Sequence, residues 1–357
     1  VATMRVVYTD PAWALDASGR PDPNRADLER GILGPDVDVE IGPFHSGADL
    51  DPTGDPEVAP NADSGFVTSG DQLLDAARGA DALVIYRCQV TSELVEALRP
   101  SCRVVARSGV GFDNLRPDLL ATAGIYGFNV PDYCGDEVST HTVALLLGLE
   151  RQICVQDRLV RDNRWGIHRG GIPRRTCERT VGIVGFGRIG RASARKLQPF
   201  YHHVLAHDPY VAADLMASHG VTPVRSLGEL FAAADAVVVH AALTPETDGL
   251  IGAAALGAAA PGTLLVNTAR GKLVDTTAVL DALDTGQLAG FASDVFAPED
   301  PNASPTARKL LARNDVIVSS HRAFLSAESE LSLRRRIAAG IRAVLVDDAP
   351  PPEGRLA

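Results

Sequence analysis

The chain has 357 residues, of which 45% are hydrophobic and 5% aromatic, and carries a net charge of −11. One core rarely serves that length, so two domains are expected, and the apolar, aromatic-poor composition suits buried parallel strands alternating with helices. The acid excess argues against sequence-independent nucleic-acid binding, and without a run near twenty apolar residues or an early signal-peptide core, no membrane partner and a cytoplasmic location are expected.

The first third carries short apolar runs at Arg5–Tyr8, Val37–Ile41, Ala82–Tyr86, Arg103–Ala106 and Ile125–Asn129. They predict a small parallel α/β domain. Residues 43–70, rich in Asp, Pro, Gly and Ser and lacking an apolar period, read as a solvated surface insertion. Val143, Leu145, Leu146, Leu147 and Leu149 predict a largely buried helix over Thr140–Ile153, placed to join the domains.

Next, Val181–Val184 runs into Gly185-Phe186-Gly187-Arg188-Ile189-Gly190, a G-x-G-x-x-G turn leading into a helical pattern. Such a turn cradles a dinucleotide: Gly185 permits the bend, Gly187 lets the backbone approach a pyrophosphate, and Gly190 lets the helix pack on its strand. Asp208 closes the following strand, Val204–Asp208, where a carboxylate can accept hydrogen bonds from both ribose hydroxyls and repel a 2′-phosphate. NAD is the cofactor this predicts. Further strands at Ala236–His240, Thr263–Asn267, Gly290–Asp294 and Val316–Ser319 complete an expected six-strand doubly wound sheet, and Ser326–Val346 returns as a helix to pack on the first domain. The domains are therefore drawn as 1–132 with 326–357, and 133–325. Cys88, Cys102, Cys134, Cys154 and Cys177 are odd in number and lack C-x-x-C pairs, so reduced packing residues are expected, with no metal site.

Ligands of doubly wound sheets bind beyond the carboxyl ends of strands, and Arg270, Glu299 and His321 all fall there. Together they suffice for hydride-transfer chemistry. A guanidinium can hold a carboxylate or polarise a ketone, an imidazole can carry the accompanying proton, and a carboxylate beside it fixes its tautomer. Singly, each also reads as a surface ion-pair partner, a solvated loop acid or a satisfied strand-end histidine.

The run Arg107-Ser108-Gly109-Val110-Gly111-Phe112-Asp113-Asn114, the glycine turn, His240-Ala241-Ala242-Leu243-Thr244, Asn267-Thr268-Ala269-Arg270-Gly271, Asp294-Val295-Phe296 and His321 resemble the D-2-hydroxyacid dehydrogenase family, within it the C-terminal-binding-protein branch. The resemblance implies a Rossmann cofactor domain inserted in a flavodoxin-like substrate domain, and a homodimer. It implies NAD-dependent interconversion of a 2-oxo acid and a D-2-hydroxy acid in a cleft between the domains, with Arg270, Glu299 and His321 catalytic. Backbone amides of Ser108–Gly111 would hold the acid in an anion nest. Val110 and Thr142 would line the nicotinamide end, with Ala241, Ala242, Thr247, Thr268, Ala269 and Asp294 also toward the cofactor. Three departures stand out: Ser320 precedes His321 where Pro is common, with Arg322 and Phe324 following; Asp300 separates Glu299 from Pro301; and Tyr86-Arg87-Cys88 stands where many relatives have an Arg-Ser pair. Arg87 and Arg322 read either as solvent-facing charges or as contacts to a second anion on the substrate. Two alternatives thus accompany the dehydrogenase reading: an NADH-gated, corepressor-like dimer, and a dehydrogenase for a phosphate- or phosphonate-bearing acid.

Overall fold

Apolar runs of three to six residues, shielded on both sheet faces, become parallel strands here. The computed structural model describes residues 3–14, 22–42 and 71–357; the predicted insertion at 43–70 lies outside the described residues. The chain divides into two units, Val1–Tyr133 with Ser326–Ala357, and Cys134–Leu325.

In unit 1, β1 (Met4–Tyr8), β2 (Val37–Ile41), β3 (Ala82–Ile85), β4 (Val104–Arg107) and β5 (Tyr126–Phe128) form a parallel sheet of order β2-β1-β3-β4-β5. This is the flavodoxin-like order, with its switch point between β1 and β3. Side chains alternate between faces. Val6, Val84, Val104 and Phe128 pack with Leu333, Ile337, Ile341 and Val344 of the helix Ala327–Leu345, while Val7, Leu83, Ile85 and Val105 pack with Leu73, Leu94, Leu98 and Leu120 on the other side. The returning helix starts at a capping box between Ser326 and Ser329, and its Arg334 clamps buried Glu29 with two hydrogen bonds of 2.7 and 2.8 Å while stacking on Trp13.

In unit 2, β6 (Thr180–Val184), β7 (His203–His207), β8 (Thr222–Pro223), β9 (Ala236–Val239), β10 (Thr263–Asn267), β11 (Leu288–Ser293) and β12 (Val316–Val318) form a seven-stranded sheet, β12-β11-β10-β9-β6-β7-β8, again parallel. The strand order reverses between β6 and β9, as in Rossmann folds. The expectation of six strands was short by β8, a two-residue edge strand ending in Pro223 that leaves no apolar run to detect. The helix Gly135–Glu150 buries Leu145 and Leu146 against Val181, Ile183 and Phe186, so both leucines go into the core of its own unit. Large exposed apolar residues lie instead just beyond it, at Ile153, Val160, Trp165, Ile167 and Ile172.

Where that helix ends, Glu150 is buried with Arg179 Nη1 2.5 Å and the Tyr201 hydroxyl 2.7 Å from its two oxygens. Burial and the Glu150 charge together push Tyr201 ionisation far above its usual range, so the phenol remains a donor. Among the described residues, no helix is long and apolar enough to cross a membrane, and no cluster of side chains is arranged to hold a metal ion.

Candidate active site

The glycine turn between β6 and the helix Arg188–Leu197 is shaped by close backbone approach. Gly185 sits at φ +89, and a β-carbon there would fall 2.6 Å from the Ala241 nitrogen; one on Gly190 would fall 2.2 Å from the Gly185 oxygen. Gly187, the N-cap of that helix, has open space on its β-carbon side, which suits a pyrophosphate resting on the helix N-terminus. Asp208 is braced by two amides: Phe186 N–H donates to Oδ2 at 2.8 Å and Tyr210 N–H to Oδ1 at 2.9 Å. Its remaining lone pairs can accept ribose hydroxyls, so these residues fit a bound NAD. His240, beyond β9, was not singled out as a site residue; it contacts Ser193 Oγ at 2.8 Å, and burial pushes its pKa down to about 4, keeping the ring neutral near the turn.

At the other end of the sheet, His321 and Glu299 come together, with His321 Nδ1 facing Glu299 Oε1 at hydrogen-bonding distance. That contact orients the ring and leaves Nε2 for a substrate. The two side chains are 26% and 19% exposed, so the pair is reachable rather than sealed. Phe324 meets the His321 ring edge-on at 6.2 Å. Arg270 stands beyond β10, its Nη1 donating to the Ala269 carbonyl at 2.8 Å, while Asn267 folds the loop by bonding the Ala269 amide and the Arg270 carbonyl. Gly271 lets this loop lie against the segment leading to Glu299, since a β-carbon there would be 2.0 Å from the Phe296 carbonyl carbon.

Asp294, 1% exposed, holds the histidine loop. Its Oδ1 accepts the Ser319 hydroxyl at 2.5 Å and Arg322 N–H at 3.0 Å, its Oδ2 accepts Ala323 N–H at 2.8 Å, and its carbonyl accepts His321 N–H at 2.8 Å. Sequence reasoning placed Asp294 toward the cofactor and did not anticipate these loop contacts; its own N–H donates to the Asn267 carbonyl at 3.0 Å. Thr142 is fully buried, donating to the Val138 carbonyl at 2.8 Å and paired with Thr268 at 2.7 Å. Thr247 closes its own turn by donating to the Ala242 carbonyl at 2.7 Å and accepting Thr244 N–H at 2.8 Å.

Unit 1 gathers its polar residues at the carboxyl ends of β3 and β4. The amides of Ser108 and Gly109 are spent on the Ile85 and Arg107 carbonyls, so of the predicted nest only Val110 and Gly111 keep N–H groups without an acceptor among the described residues. Asn129 pins this loop by donating to the Val110 carbonyl. Arg87 does not face solvent: it is 7% exposed, as is Arg107, and both guanidiniums lie over the Tyr86 ring, at 5.4 and 5.6 Å. Asp10, beyond β1, accepts the amides of Tyr86 and Arg87; burial raises its pKa against the lowering effect of those bonds. Arg322, in contrast, is exposed, and the residue that accompanies Arg87 at the Tyr86 ring is Arg107, which sequence reasoning did not single out.

A Rossmann domain with a braced ribose acid and a strand-end His–Glu pair defines a nicotinamide-dinucleotide-binding class of protein. Residues 143–323 match the family model for the D-isomer specific 2-hydroxyacid dehydrogenase, NAD binding domain. The chain belongs to that family, and unit 2 carries its NAD-binding domain. It is similar to the D-3-phosphoglycerate dehydrogenase of Mycobacterium tuberculosis, at 36% identity over 282 residues covering 79% of this chain and 52% of that protein. The chain thus spans about half the length of that relative. It is 32% identical to the glyoxylate reductase of Pyrococcus furiosus over 289 residues, covering 79% of this chain and 84% of that one. Its fold matches the solved structure of D-lactate dehydrogenase from Aquifex aeolicus complexed with NAD and lactic acid, with a TM-score of 0.77 and 24% identity over 96% of each chain.

Proposed function

We propose that the protein is an NAD-dependent oxidoreductase that interconverts a 2-oxo acid and a D-2-hydroxy acid. The observation that carries this reading is the His321–Glu299 pair, reachable at the strand ends of the NAD-binding unit. NADH, when bound, supplies the hydride for the ketone carbon. His321 Nε2–H gives its proton to the ketone oxygen, Glu299 holds the ring through Nδ1, and Arg270 orients the acid. Following NADH oxidation across pyruvate, branched, aromatic, phosphorylated and phosphonate-bearing 2-oxo acids tests the proposal; no turnover with any member of the panel would reject it.

Cofactor choice follows from Asp208. Replacement by Ala is expected to narrow the preference for NADH over NADPH, because the carboxylate recognises ribose hydroxyls and repels a 2′-phosphate. Fluorescence titration of both dinucleotides reads the ratio, and equal affinities in the unmodified protein would defeat the assignment.

A second reading, that the substrate bears a phosphate or phosphonate, is favoured by the buried Arg87 and Arg107 stacked on one Tyr ring. The name of the mycobacterial relative, a phosphoglycerate dehydrogenase, points the same way. Planar guanidiniums held against an aromatic ring are pre-organised for an oxyanion. Arg87→Gln is then expected to raise KM for a dianionic 2-oxo acid much more than for a monoanionic one; equal changes would leave Arg87 a structural cation.

We further propose a homodimer, with the exposed Trp165, Ile167 and Ile172 surface covered by a second copy. Trp165→Asp is expected to shift sedimentation toward the monomer, and a wild-type protein that sediments as a monomer at tens of micromolar would reject the assembly.

A further inference from the structure

We propose that His141 is a positioning residue for proton transfer: through Ser319 and Asp294 it fixes the backbone segment that presents His321. The inference rests on the assignment of His321 as the proton donor.

Hydrogen accounting gives the direction of the chain of bonds. Both Asp294 oxygens accept amide hydrogens, from Arg322 and Ala323, so Asp294 is the acceptor of the Ser319 hydroxyl at 2.5 Å. A serine hydroxyl has one hydrogen, and here it is spent on Asp294. The 2.8 Å contact between Ser319 Oγ and His141 Nε2 therefore has the imidazole N–H donating and the hydroxyl accepting. His141 Nε2 also lies 3.7 Å from Asp294 Oδ1, so an N–H dipole points toward a buried carboxylate. The helix Gly135–Glu150, the β11 exit and the β12 exit are thereby tied at one point.

That point matters because of the backbone it holds. His321 sits at φ +50, the left-handed region that a non-glycine residue occupies only when its surroundings impose it. The surroundings are four bonds: Ser319 N–H to the Ser293 carbonyl, His321 N–H to the Asp294 carbonyl, and the amides of Arg322 and Ala323 to the Asp294 carboxylate. Three of the four end on Asp294. With His141 removed, the Ser319 hydroxyl is held by its bond to Asp294 alone, and the Ser319–Asp294 pair gains freedom to turn together away from the 322–323 amides.

The test compares His141→Leu, which fills similar space without a donor, with His141→Gln, whose side-chain amide can replace the N–H. Two readouts are taken on the full chain: hydrogen–deuterium exchange of residues 319–325, and kcat, KM and NADH affinity with the best 2-oxo acid. In His141→Leu, exchange over 319–325 is expected to quicken about tenfold and kcat to fall about tenfold, with NADH affinity within about twofold. His141→Gln is expected to restore both. Ser319→Ala should match His141→Leu, and the double variant should be no worse than either single one; if His141→Leu fails to fold, Ser319→Ala carries the same two measurements. Unchanged exchange and kcat in His141→Leu, equal damage in His141→Gln, or a loss confined to NADH affinity would overturn the proposal. A wild-type protein inactive on every 2-oxo acid would reject the dehydrogenase reading instead, and the exchange comparison would still decide whether His141 holds the loop.

Discussion

Turnover of the best 2-oxo acid by His321→Ala is expected to be lower by about 100- to 10,000-fold, the usual contribution of a positioned proton donor. NADH affinity should change little. The two effects separate because His321 stands on the β12 exit, whereas the glycine turn and Asp208 stand beyond β6 and β7 at the other half of the sheet. Glu299→Ala should cost less, since the imidazole remains and only its orientation through Nδ1 is released. Stopped-flow single turnovers, with NADH titration in parallel, make the comparison. Wild-type turnover in His321→Ala would remove the histidine from the chemistry, and loss of NADH binding at the same rate would reassign it to the cofactor.

Arg179→Ala is expected to destabilise unit 2 by about 3–5 kcal/mol, the typical cost of leaving a buried charge without its partner. Glu150 has a side chain with 0% exposure, and Arg179 at 7% supplies its cation. Deleting the guanidinium leaves only the Tyr201 hydroxyl on that carboxylate and also removes the bond from Arg179 Nη2 to the Asp235 carbonyl at 2.9 Å. A second variant distinguishes an unpaired charge from lost packing: Glu150→Leu with Arg179→Met removes both ions and should recover most of the loss. Urea denaturation followed by far-ultraviolet circular dichroism measures both. A loss under about 1 kcal/mol in Arg179→Ala would mean that water reaches Glu150 and the pair is effectively a surface one.

Both sheets were legible in the sequence because a parallel strand shielded on two faces must be apolar along its length, as in Ala82–Ile85 and Thr263–Asn267. The glycine turn and Asp208 were legible for a related reason: each depends on its own short segment. What stayed hidden depends on residues far apart in the chain. His141 and Ser319 are separated by 178 positions, and nothing near either one announces the other. Polar side chains also look alike in sequence whether they face a ligand or their own backbone, so the bonds of Asp294 to the histidine loop, of Thr142 to Thr268 and of Thr247 within its own turn were not legible. The arginines make the same point with opposite outcomes. Arg87 follows a buried strand and is buried on Tyr86, whereas Arg322 follows the histidine and is exposed.

The ion pair between Glu29 and Arg334 spans 305 positions, and the helix that bears Arg334 is made only after all of unit 2. Unit 2 has all of its own strands in one continuous stretch, so it can complete its core while translation is still under way. Unit 1 cannot. Its five strands are made before unit 2, yet the face bearing Val6, Val84, Val104 and Phe128 lacks Leu333, Ile337, Ile341 and Val344 until residues 333–345 emerge. The usual N-terminal-first order of domain folding is therefore reversed, and during synthesis it is the N-terminal strands that present apolar surface for a chaperone to shield.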